Sequence, residues 1–249
     1  MVTTPVTPAP EPQATISPFG RIIGTYFSPK ATFEDIGRKP SWLLPVILSS
    51  ILGLVVGFGL NQKVDWRDIA SKRIEESSRA SQLSAEQKER QVEISAKISP
   101  IAAYCIGALA PWIGALVVGG VMLGAFNLLG GANANYKVSL GIVSHAYLPF
   151  LIHGLLFLLI VYLKPPGTVD IDNPVASNLG AFFPQGTAKW LTTFGTGVDI
   201  FSIWTTALIG AGFAAFNPRK LKTGGAIGIA FAVWALWELV RTGFSFIFS

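Results

Sequence analysis

Five apolar stretches, at 42–60, 101–129, 142–163, 198–216 and 225–248, divide this chain into membrane-length segments. A helix rises about 1.5 Å per residue, so roughly 20 apolar residues cross a hydrocarbon core of about 30 Å. Only 13% of the residues are charged, against roughly a quarter in an ordinary soluble domain. Those charges gather mostly at 21–39, 63–97 and 219–222, with long apolar blocks between them. The pattern predicts an all-α integral membrane protein, a five-helix transmembrane bundle with the lipid bilayer as its first partner.

The net charge of +5 does not point to nucleic acid. The basic residues flank the apolar stretches, where cytoplasmic ends of membrane helices carry them anyway. Cys105 is the single cysteine, which excludes an intrachain disulfide and a cysteine-based metal site; its apolar setting reads as packing. Residues 1–16 are rich in Pro, Thr and Ala and lack the basic-then-apolar pattern of a cleavable signal. They read as a disordered tail, which leaves insertion to the first span.

Between tail and first span, Phe19, Ile22, Ile23, Tyr26 and Phe27 recur at helical spacing, with Arg21 on the other side. Two readings fit: a short N-terminal interfacial helix, or a helix packed on the protein's own cytoplasmic face. Ser28-Pro29 breaks it, and 31–38 can form a second short turn that brings Phe33 and Ile36 together. Pro40 and Pro45 fall in the first turns of the first span, where a missing amide costs least, and Trp42 suits the headgroup belt.

Residues 61–99 form a charged helical insertion between the first two spans. Its eight basic and seven acidic residues interleave, as a solvated helix requires. Ser84-Ala85-Glu86-Gln87 has the form of a capping box, so a helix should start near Ala85. A helical hairpin or bent helix standing off the membrane is expected, with a partner-binding or coiled-coil segment as the alternative. Pro100 should open the second span, which exceeds bilayer thickness and must tilt, kink near Pro111 or project. Gly107, Gly114, Gly119, Gly120 and Gly124 suit it to close helix contact. After the third span, the loop from Lys164 should fold back on the membrane surface around 176–183, and 189–194 should form an interfacial helix.

With five spans, the tail, the 130–141 turn and the 217–224 loop share one side. That side carries Arg21, Lys30, Arg38, Lys39, Lys137, Arg219, Lys220 and Lys222. The positive-inside rule makes the N-terminus cytoplasmic and the C-terminus exoplasmic, with the insertion outside.

Ionisable residues inside spans are the candidate functional groups. His145 and His153, eight residues apart, would stand about 80° and roughly 12 Å apart on one helix, too far for one metal ion. Each reads as a packing histidine, with a proton-relay or ligand role as the alternative. Glu238 and Arg241 are three apart and can pair on a helix face. They read as a structural ion pair or as part of a polar intramembrane site with His145 and Asp199. Asp199 opens the fourth span, where a carboxylate suits the helix dipole and capping accounts for it. No HExxH, GxSxG or Walker A pattern occurs, so no enzymatic activity, cofactor or metal is expected.

FSPKATFEDIGRKPSWLLPVIL, from Phe27 to Leu48, resembles the opening of the bacterial Yip1-type membrane proteins, in which a short segment of this kind precedes the first of five spans. DIFSIWTTALIGAGF, from Asp199 to Phe213, is similar to that family's fourth span, and the insertion with LSAEQ is similar to bacterial members. The resemblance covers about 17–248. It implies a five-span membrane domain over 17–249, a cytoplasmic N-terminus and a bacterial cytoplasmic membrane. Eukaryotic relatives are linked to Rab GTPases and vesicle traffic, but this chain lacks the long acidic or aromatic N-terminal region that would suggest a GTPase surface. The expected role is a scaffold or partner-binding protein, acting through protein partners or self-association. The alternative is a small transporter or channel, which would require His145, Asp199, Glu238 and Arg241 to converge on one cavity.

Overall fold

The computed structural model describes residues 15–77, 80–165, 168–184 and 186–248. The expected disordered tail therefore lies outside the described residues, apart from Thr15 and Ile16. The helices are α1 (Pro18–Phe27), α2 (Pro29–Arg38), α3 (Leu43–Lys63), α4 (Trp66–Glu75), α5 (Ala85–Gly130), α6 (Tyr136–Ala146), α7 (Pro149–Leu163), α8 (Lys189–Gly197), α9 (Ile200–Phe216) and α10 (Thr223–Phe248). Short 3₁₀ turns cover Ala80–Gln82 and Leu179–Phe182, and no strand occurs among the described residues. The molecule is an all-α membrane protein. Four stretches are long and apolar enough to cross a bilayer: α3, α5, Tyr136–Leu163 and α10. The fifth expected span, α9, has 17 residues, about 25 Å of helix.

α9 is short but central. Phe201, Leu208, Ile209 and Phe213 are all buried, and it packs against α2, α6, α7 and α10. The Phe126 and Phe213 rings stack at 3.9 Å between centroids, tying α5 to α9. Lipid is as apolar as these side chains, so close van der Waals packing and hydrogen bonds, rather than expulsion of water, hold such helices together. The tightest contact joins α3 to α5, where Gly53 and Gly107 meet backbone to backbone. Ser50 adds a hydrogen bond to the Ala108 carbonyl at 2.9 Å. Gly57, one turn along from Gly53, lies against Ala103, so two small residues four apart open this face of α3.

Three elements differ from the sequence reading, each for a local reason. α5 does not begin at Pro100 but runs unbroken from the predicted capping box at Ser84 and Gln87 to Gly130, 46 residues or about 69 Å. A proline inside a helix loses one hydrogen bond and costs about 3 kcal/mol. Contacts on both sides of Pro100 offset that: α4 packs on the first part of α5, burying Ala70 and Val92, and Asn61 of α3 donates to the Pro100 carbonyl at 3.2 Å. The insertion is thus a hairpin of α4 against an arm continuous with the second span.

The third span begins at Tyr136 rather than Ile142 and breaks at Tyr147-Leu148. Asn135 caps it by accepting from the Val138 amide at 3.0 Å, and Ser139 donates to the Gly119 carbonyl at 2.7 Å, which places residues 136–141 against α5. Pro149 has no amide to continue the ladder, so the chain closes instead with a tighter bond from the Leu148 amide to the His145 carbonyl at 3.1 Å. His145 and His153 consequently sit on different helices, and the single-helix angle between them does not apply.

The third difference concerns Arg21. The sequence reading sets it opposite an apolar stripe. In the fold the stripe of Phe19, Ile23 and Phe27 faces outward, while Arg21 faces the protein and is 3% exposed. α1 and α2 form a hairpin lying along α9: Gly37 abuts Phe216, Phe33 covers Gly212, and the Tyr26 ring meets Trp204 at 5.8 Å. The hairpin therefore reaches about 18 Å along α9 from its C-terminal end. At its tip the Tyr26 hydroxyl donates to the Leu148 carbonyl at 2.6 Å, at the break between α6 and α7.

Contacts sort the connections into two groups. Asn217 donates to the Ala132 carbonyl at 2.9 Å, joining the turn after α5 to the turn after α9. At the other end Arg73 of α4 pairs with Asp172 at 2.5 Å, joining the insertion to the loop after α7. That loop continues into the Leu179–Phe182 turn and α8, which packs on the last turns of α10 through Thr193 and Ser245 at 3.0 Å.

Candidate functional site

The polar residues inside the bundle form two clusters. The first lies in the α1–α2 hairpin. Asp35 shares a helix face with Thr32 and Ile36, all three buried, so α2 carries an acid on its packed face. Arg21 meets it from α1. Its Nε donates to Asp35 Oδ2 at 2.9 Å, and Nη2 lies 2.8 Å from the same oxygen. Nη1 donates to the Lys39 carbonyl at 3.0 Å and to Ser41 Oγ at 2.6 Å, and Nη2 also reaches the Asp35 carbonyl at 3.2 Å. Every nitrogen of the guanidinium is engaged. The carboxylate accepts further bonds from the Thr15 amide at 2.8 Å, the Thr15 hydroxyl at 3.0 Å and the Ile16 amide at 3.3 Å.

Burial by itself would raise the Asp35 carboxyl. The bonds from Thr15 and Arg21, with the guanidinium charge, outweigh it and hold the group below the usual carboxylate range. A pair so fully satisfied has no donor left for a ligand. It locks α1, α2 and the lead into α3 together.

The second cluster gathers around Gly197. Glu238 Oε2 accepts from Arg241 Nη2 at 2.8 Å and from Nε at 3.1 Å, and Arg241 also donates to the Thr193 carbonyl. A Cβ at Gly197 would run into both charged groups, so the bare backbone at the end of α8 makes room for the pair. Two residues on, Asp199 caps α9: Oδ1 accepts from the Phe201 amide at 2.8 Å and the Ser202 amide at 3.3 Å, while Oδ2 accepts from the Ser177 hydroxyl.

The histidines stand apart. His145 is buried, and its Nδ1 lies 2.8 Å from the carbonyl of Gly141, a residue whose Cα side packs against the Ser41 backbone and so next to the Arg21 cluster. The His153 ring packs edge-on against Phe201 at 5.3 Å. Of the four sequence candidates, the fold brings Asp199, Glu238 and Arg241 to one neighbourhood and leaves His145 in the other. Among the described residues, no three His, Cys, Asp or Glu side chains are grouped to hold a metal ion.

Sequence reasoning missed the Arg21–Asp35 cluster and the roles of Thr193 and Ser177. Asp35 stands well off the face that Phe33 and Ile36 define, so periodicity gave no signal for its burial.

The family model described as the Yip1 domain matches residues 23–240, nearly the whole chain. No curated protein and no solved structure matches it.

Proposed function

The chain belongs to the Yip1 family, and on that premise we propose that it is a non-catalytic membrane scaffold that binds protein partners or further copies of itself. One observation carries this reading: the charged groups within the bundle are turned on each other. Arg21 and Asp35 saturate their own pair, and Arg241 is held by Glu238 and the Thr193 carbonyl. A transported ion or a substrate would need polar groups converging on an open path, whereas these fall into two separate clusters.

The same reading takes α9 as a fifth crossing in spite of its length. On this reading the two termini lie on opposite sides, the N-terminus in the cytoplasm and the C-terminus outside a bacterial cytoplasmic membrane, an orientation that the basic residues beside the spans support. The surface for partners is the arm of α4 and the first part of α5. Arg67, Lys72 and Glu89 on it are exposed and held in surface ion pairs, which contribute little to stability and are readily exchanged for contacts to a partner.

Amine-reactive cross-linking in intact membranes, followed by purification, tests the scaffold role. Adducts of discrete, reproducible mass are expected, weakened when Arg67 and Arg90 on the arm are replaced by glutamate, which leaves every reactive amine in place. A chain recovered alone and monomeric from every preparation would overturn the reading.

A further inference from the structure

We propose that the cavity between α5, α7, α9 and α10 is a binding site for a neutral, hydroxyl-bearing lipid. Its volume is about 380 Å³, within the range of small-ligand pockets. Val118, Met122, Ile209, Val233 and Trp234 make its wall apolar. Val117, Val121 and Trp237 on its rim are exposed, so on a membrane-embedded bundle the mouth opens to acyl chains rather than to water.

Tyr147, Ser202, Thr205, Thr206 and Glu238 bring polar groups to this apolar space, and two of them have bonding capacity left unused. Thr205 is 4% exposed, and its Oγ1, itself shielded from solvent, has no hydrogen-bond partner among the described residues. Its neighbour Thr206 bonds back to the Ser202 carbonyl at 2.8 Å, so the helix offers such a bond and Thr205 does not take it. Glu238 also lines the cavity, and both bonds from Arg241 fall on Oε2. Oε1 accepts none among the described residues.

These groups define the ligand's chemistry. A carboxylate can only accept, so the ligand must carry a donor; a threonine hydroxyl can both donate and accept. Arg241 already balances the charge of Glu238, so the site as a whole is neutral. An anionic head would face the carboxylate, and a cationic head would bring an unbalanced charge into an apolar space whose one carboxylate Arg241 already neutralises. A hydroxyl avoids both conflicts, and a single long apolar chain satisfies the walls.

The test uses the full chain in membranes with four photoreactive, clickable probes of equal length: a long-chain alcohol, a fatty acid, an alkylamine and a hydrocarbon. The alcohol should label peptides of α9 and α10 most strongly. Thr205→Val should reduce that labelling by about two- to tenfold, the worth of one hydrogen bond, while Thr205→Ser retains it. Since the hydroxyl bonds nothing in the fold, Thr205→Val should melt no lower than the parent; Thr205→Ala serves the same purpose if valine disturbs packing. Equal labelling by all four probes, stronger labelling by the acid or amine, or labelling indifferent to loss of the Thr205 hydroxyl would each overturn the proposal.

Discussion

Asp35→Ala is expected to destabilise the folded protein by about 3–5 kcal/mol, the usual cost of removing one partner from a buried ion pair. Arg21 is 3% and Asp35 1% exposed, and the variant would leave the guanidinium buried against the Lys39 carbonyl and Ser41 without its counter-charge. The amides of Thr15 and Ile16 would lose their acceptor as well. Thermal unfolding in detergent should show the loss, together with early proteolysis near α1. Replacing both partners by apolar residues, Arg21→Met with Asp35→Leu, should cost less than either single change, because no buried charge is then left unpaired.

The same pair gives a pH dependence with a definite sign. The folded Asp35 carboxyl lies below its unfolded value, so its contribution is complete above about pH 4, the ordinary carboxylate range. It is lost as the pH falls from there through the lower, folded value. Parent protein should therefore weaken on acidification below about pH 4 more steeply than Asp35→Asn, which has no proton to gain. Parallel slopes would refute a stabilising role for the carboxylate.

The second large effect concerns the α3–α5 contact. A Cβ on Gly53 would lie 2.7 Å from the Gly107 carbonyl carbon and 2.8 Å from its Cα, and backbone cannot swing aside as a side chain can. Gly53→Val should force the helices apart and cost at least the upper end of the 1–3 kcal/mol, roughly, that overpacking exacts. Gly124→Ala makes the control. A Cβ there meets nothing within 4 Å, and alanine is the better helix former by about 1 kcal/mol. Melting both variants beside the parent should show one lowered and the other unchanged or raised.

Much of this architecture was legible in the chain because it is written locally. Hydropathy alone locates α3 and α10. The caps at Ser84 and Asp199 follow from residue type and spacing, and Gly107 sits at a helix contact as its size suggests. What escaped was decided by contacts far apart in sequence. Pro100 looks like a helix start to its neighbours, and only packing by α4 and the bond from Asn61 carry the helix through it. Arg21 looks like a surface charge until Asp35, across the Ser28-Pro29 turn, supplies its partner. The polar residues of the spans could be named as candidates one by one, but their division into two clusters depends on the break at Pro149 and on how α6 and α10 pack.

The most direct test of the account is the side of the membrane on which each connection lies. In a Cys105→Ala background, single cysteines at Asn133, Lys220, Gln82 and Asp170 would be probed with a membrane-impermeant thiol reagent from either face. Five crossings predict that positions 133 and 220 label together from the cytoplasm, and 82 and 170 together from outside. Labelling of position 82 from the same face as 220 would contradict the five-crossing arrangement and the assignment of the charged arm to the outer side.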